Sequence, residues 1–303
     1  MKIAFFTEMM FNGKIPRTHT NMRTEFAWMC ALEADHYNIK QIPVERYDLG
    51  IVIIPKKTPN FNINDIRQIC NKVAVMQEGP NWYWQDYTLD QQIWYFNTLT
   101  SADIIFTHNE SDRKYYQGLT AHSDVRVMPS LMIHDAIGEL EPINRQGVII
   151  GGNFVSWYGG FDSYIISHEF DNGKVYAPSM GRKQQMEEQL LTHLPYMQWA
   201  EWIHALNRFK YGVHLMRTHA AGTFALNCAY LGIPCIGYKG LDTQEICHED
   251  LTVELGDLVT ARELAQKLRN DEEFYLYCAE KCKYRYDQYY TEQRFLEKFN
   301  NEN

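Results

Sequence analysis

The sequence predicts an α/β protein made of two Rossmann-like parallel-sheet domains that face each other across a cleft. Short apolar runs alternate with amphipathic stretches along the chain, and many of these runs end in loops of glycine and polar residues. A segment at 129–145, with the proline, glycine and charge content of a linker, separates two halves of this kind. We therefore place an N-terminal domain at 1–133 and a C-terminal domain at 145–284.

The composition narrows the class of protein. The chain has 303 residues, of which 45% are hydrophobic and 14% aromatic, which is enough for two packed domains. A net charge of −9 argues against a protein built to bind bare nucleic acid, although a local basic patch stays open. The apolar start at 3–6 is too short for a signal peptide, and no run reaches the roughly 18 residues of a membrane span. Seven cysteines without paired spacing fit reduced thiols, so we expect a cytoplasmic protein.

The first half consists of strand-then-helix units, which predict an open parallel sheet. Apolar runs predict strands at 1–7, 51–55, 73–76, 102–107 and 125–128. Helical spacing predicts helices from Phe26 onward, at 64–71, at 90–99 and at 112–116. Ligands of such sheets bind beyond the carboxyl ends of the strands, so the loops that follow the strands are the predicted binding sites.

The loop after the first strand carries a basic cluster that we assign to the acceptor side. Lys14, Arg17 and Arg23 are the candidate contacts, and His19 in the same loop is a candidate catalytic base. An ordinary solvated loop is the alternative interpretation.

A second acceptor-side candidate follows the strand at 73–76. Glu78 is a candidate catalytic carboxylate, and the aromatic segment at 81–87 offers Trp84 as a ring that could stack on a sugar or a base. The alternative is an aromatic core or lid in which Glu78 only caps a helix.

The second half repeats the pattern. Strands are predicted at 147–150, 174–177, 196–199, 213–216 and 235–237, and helices up to residue 169 and at 184–194, 202–211, 223–231, 261–268 and 272–299. Gly232 ends the helix at 223–231, and Pro234 prevents its continuation. The segment 211–237 is therefore a βαβ unit.

The loop within this βαβ unit suits an anion. The first turn of a helix has unpaired backbone N–H groups and partial positive charge, and Gly222 lets a phosphate approach them. Arg217 stands beside this loop in sequence. Small residues that serve only helix packing are the alternative explanation.

The spacing of this unit resembles the donor-sugar motif of GT-B glycosyltransferases. In that motif an acidic residue, a glycine-rich turn, a second acidic residue on the helix and a Gly-x-Pro stop follow one another. Gly222 and the stop at 232–234 match it, whereas His219 and Asn227 occupy the two acidic positions. The resemblance implies a sugar contact at His219 and a ribose contact at Asn227, whose amide could still bond a hydroxyl.

The resemblance implies further donor contacts and a domain arrangement. The turn after the strand at 147–150 would hold the nucleotide through Gly151, Gly152 and Asn153, and Thr223 would contribute in the first turn of the helix. No Lys or Arg lies between Gly151 and residue 169, so the diphosphate would need Arg182, Lys183 or Arg217. The last helix, about 285–303, would pack back on the N-terminal domain.

These observations predict a glycosyltransferase that uses a nucleoside-diphosphate sugar and needs neither a metal nor another cofactor. Helix N–H groups and Arg217 would neutralise the leaving diphosphate, and no Asp-x-Asp of the metal-dependent type is present. With His219 and Asn227 at the acidic positions, a retaining mechanism and an inverting one with His19 or Glu78 as base both stay open. A dinucleotide oxidoreductase is disfavoured because neither turn has GxGxxG.

Three alternatives remain at this stage. The first is a phage-type glycosyltransferase that acts on hydroxymethylated DNA bases; the acidic charge counts against it and the loop of Lys14, Arg17 and Arg23 slightly for it. The second is a nucleotide-sugar epimerase, which would also need acidic residues in the cleft. The third is a non-catalytic nucleotide-sugar binding protein, which would bind a donor and leave it intact.

Overall fold

The computed structural model describes residues 1–55, 61–121, 124–151, 160–170, 174–179 and 189–302. The described chain divides into two compact units. The N-terminal unit comprises Met1–His19, Arg23–Ile133 and Glu292–Asn303, and the C-terminal unit comprises Thr20–Met22 and His134–Thr291.

The first part of the chain alternates strands and helices. In chain order these elements are β1 (Ile3–Thr7), α1 (Thr24–Ala31), β2 (Asp35–Asn38), β3 (Tyr47–Ile54), α2 (Ile63–Arg67), β4 (Cys70–Gln77), α3 (Leu89–Ser101), β5 (Ile104–Thr107), α4 (Glu110–Thr120) and β6 (Val125–Val127). A 3₁₀ turn at Tyr83–Asp86 follows β4.

The N-terminal unit is built on a six-stranded parallel sheet in the order β2-β1-β3-β4-β5-β6. All five residues of β1 are buried, as expected for a strand covered on both faces. Gly50 in β3 is required by packing, because a Cβ there would lie 2.7 Å from the Cys70 sulfur. The strand order changes direction between β1 and β3, so the loops after these two strands border the crevice where such sheets bind ligands.

The second part continues the alternation. Its elements are β7 (Val148–Ile150), α5 (Phe161–Ser167), β8 (Val175–Pro178), β9 (Thr192–Leu194), α6 (Trp199–Leu206), β10 (Tyr211–His214), α7 (Thr223–Leu231), β11 (Cys235–Tyr238), α8 (Asp242–Cys247), β12 (Thr252–Val253), α9 (Leu258–Asn270), α10 (Glu272–Tyr289) and α11 (Glu292–Glu302). Short 3₁₀ turns lie at His134–Ala136 and Glu249–Leu251.

The C-terminal unit has a second six-stranded parallel sheet, in the order β12-β11-β10-β7-β8-β9. Its strand order reverses between β7 and β10, which pair in parallel with Val213 opposite Ile150. The loops after β7 and β10 therefore border the crevice of this sheet. The prediction of two Rossmann-like parallel sheets is confirmed.

Three of the predicted elements differ from the structure. The strand predicted at 196–199 is wrong: the strand is Thr192–Leu194, and α6 begins at Trp199 because the backbone N–H of Gln198 donates to Glu201 in a capping box. Of the helix predicted at 184–194, Thr192–Leu194 form this strand instead, and residues 184–188 lie outside the described residues.

The helix predicted at 272–299 is two helices, α10 and α11. Tyr290 leaves the helical region with φ −122° and ψ 21° between them. A further strand, β2, was not predicted because its sequence, DHYN, is polar.

Arg145 joins the ends of two helices in the C-terminal unit. Its guanidinium donates to the Asn207 carbonyl at 3.1 Å, the Asn207 side chain at 2.7 Å, the Leu231 carbonyl at 2.6 Å and the Gly232 carbonyl at 3.2 Å. The last carbonyls of a helix have no partner within the helix. Arg145 therefore completes the carboxyl ends of α6 and α7.

We expect Arg145→Met to lower the free energy of unfolding by about 2 to 3 kcal/mol, because several carbonyls lose a charged donor at once. Urea unfolding would measure this loss. The matched control is Arg294→Met, which removes an exposed pair with Glu297 and should cost no more than about 0.5 kcal/mol. Equal losses in the two variants would contradict the bridging role of Arg145.

Candidate functional site

The amino end of α7 lies at the carboxyl ends of the strands in the C-terminal sheet. Gly222 is its N-cap in the left-handed region, with φ +66°. A Cβ at this position would lie 2.1 Å from the Thr243 hydroxyl oxygen, and that hydroxyl donates to the Gly222 carbonyl at 2.9 Å. The first turn of α7, all of which is described, holds no acidic side chain. Its N–H groups and partial positive charge are therefore available to an anion.

Two histidines lie beside this helix end. His214 is the last residue of β10 and only 6% exposed, and its ring lies 5.5 Å from that of Phe224 in the first turn of α7. The ring of His219 covers Gly240, where a Cβ would lie 2.0 Å from Cε1 of the imidazole. Nδ1 of His214 and Nε2 of His219 are buried and have no hydrogen-bond partner within the described ranges. His36, His193 and His248 also have such nitrogens among the described residues, so what distinguishes His214 and His219 is their place beside the amino end of α7.

Burial keeps both imidazoles neutral at pH 7. Burial, with a smaller contribution from the neighbouring His219, lowers the pKa of His214 to about 4. Burial also lowers the pKa of His219, while the Glu245 carboxylate opposes that shift. Glu245 accepts a hydrogen bond from the Gly240 backbone at 2.7 Å, so its charge is held close to the loop.

Gly151, directly after β7, brings this strand end against α7. A Cβ on Gly151 would lie 2.4 Å from Cγ of Phe224 and 2.7 Å from Cδ2 of His214. A residue with a side chain could not occupy this position without moving the helix. The predicted donor contacts Gly152, Asn153 and Arg182, together with Lys183, lie outside the described residues.

Arg217 is exposed at the edge of the same loop. Its Nη2 lies 3.9 Å from Oδ2 of Asp162, too far for a direct hydrogen bond. The same carboxylate oxygen accepts from the Tyr238 hydroxyl at 2.8 Å. The Arg217 side chain is exposed and its contact with the buried Asp162 carboxylate is long, so the guanidinium is free to reorient toward a ligand.

Asn227 and Thr223 occupy different environments on α7. Asn227 is 1% exposed, and its side-chain oxygen accepts from the Trp199 indole at 3.4 Å. Thr223 is half-buried in the first turn of the helix. A ribose contact from Asn227 would need its amide to leave this buried partner, whereas Thr223 is placed at the helix end itself.

The N-terminal unit brings a pair of carboxylates together at the carboxyl edge of its sheet. Glu78 directly follows β4, and Glu25 lies in the first turn of α1. Burial and the charge of Glu78 raise the pKa of Glu25 to about 7, while a hydrogen bond from Thr24 and the charge of Arg23 oppose that shift. Sequence analysis missed Glu25 because a glutamate in a first helical turn is ordinarily a helix-dipole residue.

The remaining predicted acceptor contacts are dispersed in this unit. Lys14 is exposed, and Arg17 is exposed in a bidentate pair with Glu292 of α11, at 2.8 and 2.9 Å. His19 is half-buried and stacks on Phe26 with 4.8 Å between ring centroids. Arg23 pairs with Met132 in an isolated antiparallel bridge.

Trp84 is placed in the core of the N-terminal unit. It is 2% exposed, its ring stacks on Tyr95 at 5.0 Å, and its indole donates to the Gln77 side chain at 2.8 Å. The aromatic segment therefore follows the alternative interpretation of an aromatic core, and the Trp84 ring offers no open face for stacking on an acceptor.

Other features bear on cofactors and on location. The described part of the chain holds no group of three or more His, Cys, Asp or Glu side chains that could hold a metal ion. All seven cysteines are free thiols. Among the helices of the described residues, none has the length and apolar character needed to cross a bilayer. The cytoplasmic location stays a prediction.

The fold is similar to those of several solved proteins. Sucrose-phosphate synthase from Thermosynechococcus elongatus matches 99% of this chain and 98% of its own, with TM-score 0.73 and 9% identity. Anabaena HepE, solved in complex with UDP-glucose, matches 99% of this chain and 100% of its own, with TM-score 0.68 and 10% identity. TarM from S. aureus matches 84% of this chain, with TM-score 0.62 and 11% identity.

These similarities establish the fold. The neighbours are GT-B glycosyltransferases, so the chain has the two-domain α/β fold of that group, as its sequence motif predicted. The chain spans about half the length of TarM, 55%, and nearly the whole length of the other two proteins. No protein-family model and no curated protein sequence matches the chain.

The N-cap glycine of α7 can be tested against a glycine with equal backbone demands. Gly222 and Gly256 both have positive φ, but a Cβ on Gly256 meets nothing within 4 Å. We expect Gly256→Ala to cost about 1 to 2 kcal/mol from the backbone alone. Gly222→Ala should cost at least about 1 kcal/mol more in urea unfolding, because the Thr243 hydroxyl must move. Equal costs would show that this contact does not fix the loop.

The carboxylate pair predicts a specific dependence of stability on pH. Because the pKa of Glu25 is raised to about 7 in the folded state, its contribution to stability is present below pH 4.5 and is lost as pH rises to about 7. We therefore expect Glu25→Gln to gain stability over the wild type as pH rises through this window, by an amount on the order of 2 kcal/mol. Urea unfolding at pH 5 and pH 8 measures the difference.

Glu297→Gln is the control of opposite sign. Hydrogen bonds from Arg294 and Gln293 lower the pKa of Glu297, so its contribution is present at neutral pH and lost in acid. Its replacement should lose stability relative to the wild type only as pH rises to about 4.5, so its difference from the wild type should be constant from pH 5 to pH 8. A Glu25→Gln difference that is constant from pH 5 to pH 8 would contradict the raised pKa.

Proposed function

We propose that this protein is a glycosyltransferase that moves a sugar from a nucleoside-diphosphate sugar to an acceptor hydroxyl. The observation that carries the proposal is the amino end of α7, free of acidic side chains, at the reversal of strand order in the C-terminal sheet. The fold supports it, because the neighbours include HepE, which binds UDP-glucose. In this proposal residues 145–284 bind the donor and residues 1–133 bind the acceptor.

The donor diphosphate would lie against the first turn of α7. Gly151 lets the end of β7 pack against α7, Thr223 offers a hydroxyl, and Arg217 can reach the leaving phosphate because its guanidinium is only loosely held. Charge that develops on the leaving diphosphate is then stabilised by preorganised N–H groups and by Arg217. This scheme needs no metal. Gly152, Asn153 and Arg182 remain predicted donor contacts.

The transferred sugar would lie beside His219. The His219 ring can form a hydrogen bond with a sugar hydroxyl, as the sequence motif predicts for this position. The ribose contact assigned to Asn227 requires its amide to exchange the Trp199 indole for a ribose hydroxyl. Stereochemistry stays open between retention and inversion.

The acceptor side would use the carboxylate pair. Glu78 is the proposed base for an acceptor hydroxyl in an inverting reaction. Glu25 lies beside it, and the repulsion between the two carboxylates disfavours the state in which both are ionised. His19 is the second candidate base. Lys14, Arg17 and Arg23 would orient an acceptor, with Arg17 first released from its pair with Glu292.

Two other functions differ from this proposal in their outcomes. A phage-type enzyme would transfer the sugar to hydroxymethylated bases in DNA; the pairing of Arg17 with Glu292 reduces the basic surface that such a substrate needs. A non-catalytic binding protein would bind the donor without consuming it. Acceptor and turnover measurements separate these functions.

We expect nucleoside-diphosphate sugars of one nucleotide series to raise the melting temperature, because a ligand that binds only the folded state stabilises it by mass action. At a free concentration of about 100 times Kd the stabilisation is about 2.7 kcal/mol. Differential scanning fluorimetry against UDP-, GDP- and ADP-sugars measures it. Arg217→Ala and His219→Ala should each weaken the shift, and Arg208→Ala, at an exposed site on the same unit, should leave it intact.

Turnover is measured in parallel by release of the nucleoside diphosphate, with and without oligosaccharide and hydroxymethylated-DNA acceptors. Release that depends on an acceptor supports the proposal and identifies the acceptor class. Binding without any release supports the non-catalytic alternative. The absence of a melting shift with all three series would count against a donor site at α7.

A further inference from the structure

His214 and His219 form a pair of buried imidazoles at the proposed diphosphate site. His214 is 6% exposed at the end of β10, and His219 packs on Gly240 at the end of the loop that leads from β11 into α8. Each ring has a buried nitrogen without a hydrogen-bond partner within the described ranges. The two rings interact electrostatically with one another. A ligand that supplied negative charge here would satisfy both rings at once.

The charged side chains around the pair lie on α5, on α8 and in the loops, and none lies on the described helix and strand packed against His214. α7 and β7, which pack against His214, have no charged side chain along their described lengths. The charged or titratable groups on the other packed elements and adjoining loops are Cys235 and Tyr238 on β11, Lys239 after it, Asp242, Glu245 and Cys247 on α8, Arg217 in the loop, and Asp162 and Tyr164 on α5. Glu245 is the carboxylate that acts on His219, and Lys239 in turn interacts with Glu245.

We propose that His214 and His219 bind the donor diphosphate as imidazolium ions, so that donor binding takes up protons from solvent and donor release returns them. This inference rests on the donor site under Proposed function and adds to it His214, which the sequence did not single out, and a dependence on pH. No bond other than N–H forms or breaks: a solvent proton is transferred to a ring nitrogen as the anion binds.

The direction in which pH changes the donor affinity follows from the histidine pKa values in the free protein and in the complex. In the free protein both imidazoles are neutral at pH 7 because burial lowers their pKa values. A diphosphate within about 4–6 Å would raise these pKa values by roughly 1 to 3 units each. The ligand therefore binds the protonated protein more tightly, and its affinity rises as pH falls through the pKa values of the complex.

The probe is UDP-glucose, because its two phosphates are esterified on both sides and keep their charges from pH 6 to pH 8. Isothermal titration calorimetry at pH 6.5, in two buffers with different ionisation enthalpies, gives the number of protons taken up. We expect net uptake, and a Kd that increases about tenfold or more between pH 6 and pH 8, since one fully linked proton changes affinity tenfold per pH unit.

Four variants test which side chains take up the protons. His214→Gln and His219→Gln should each reduce the uptake and flatten the dependence of Kd on pH. His248→Gln is the matched control: His248 is also buried, with a pKa lowered to about 4 by burial, but its Nε2 is already engaged, 3.0 Å from the Ala225 carbonyl. It should keep the wild-type uptake. Glu245→Gln, which retains both imidazoles, should move the midpoint of the Kd profile to lower pH.

The outcomes separate this inference from the proposed function. UDP-glucose binding with no proton uptake and a Kd independent of pH would overturn the inference and leave the donor site standing. Uptake that survives in both His214→Gln and His219→Gln would also overturn it. Absence of binding at every pH, with GDP-glucose and ADP-glucose as well, would count against both. If a histidine variant does not fold, the Glu245→Gln variant decides: a Kd profile whose midpoint pH equals that of the wild type overturns the inference.

Discussion

The close packing at Gly151 is the constraint on which the C-terminal site depends. The end of β7 meets Phe224 of α7 and His214 of β10 so closely that a Cβ on Gly151 would lie within 2.4 to 2.7 Å of both rings. The parallel pairing of β7 with β10 fixes the two strand ends, and the rings then fix the first turn of α7 above them. The N–H groups of that turn are therefore held in place before any ligand arrives, which is the condition for electrostatic preorganisation.

The loop between β10 and α7 is anchored from the other side by α8 and the residues before it. The Thr243 hydroxyl donates to the Gly222 carbonyl, and the His219 ring lies on Gly240. Gln244 covers Gly237 in the same way and donates to the Cys235 carbonyl at 2.9 Å. At each of these positions glycine lets a polar side chain lie against the backbone. The loop is thus fixed by polar contacts that an anion does not have to break.

The sequence was most informative where the spacing of apolar residues and the positions of glycine and proline indicated the same element boundaries. The βαβ unit at 211–237 could be recognised because apolar runs, Gly222, Gly232 and Pro234 all indicated the same boundaries, and α7 indeed spans Thr223–Leu231 between them. β2 escaped because a polar edge strand gives no apolar signal. His214 was not identified as a site residue because it continues an apolar strand. Glu25 was not identified because its partner Glu78 lies 53 residues away in sequence. The burial of Trp84 depends on Tyr95, a tertiary contact that local pattern does not encode.

The histidine at position 219 changes the electrostatics of the motif that the sequence resembles. A glutamate there would add a negative charge beside a ligand that is itself anionic, whereas a neutral imidazole adds none and can become positive. A permanent cation buried at both histidine positions would carry a desolvation cost in the empty site. Neutral imidazoles avoid that cost, because they acquire charge only when an anion is present to stabilise it. The nearby carboxylates are already engaged, Glu245 by the Gly240 backbone and Asp162 by the Tyr238 hydroxyl. In the proposed donor site, the charge of these two side chains would therefore be set by the ligand and by protons: neutral when the site is empty, they would become attractive to a diphosphate.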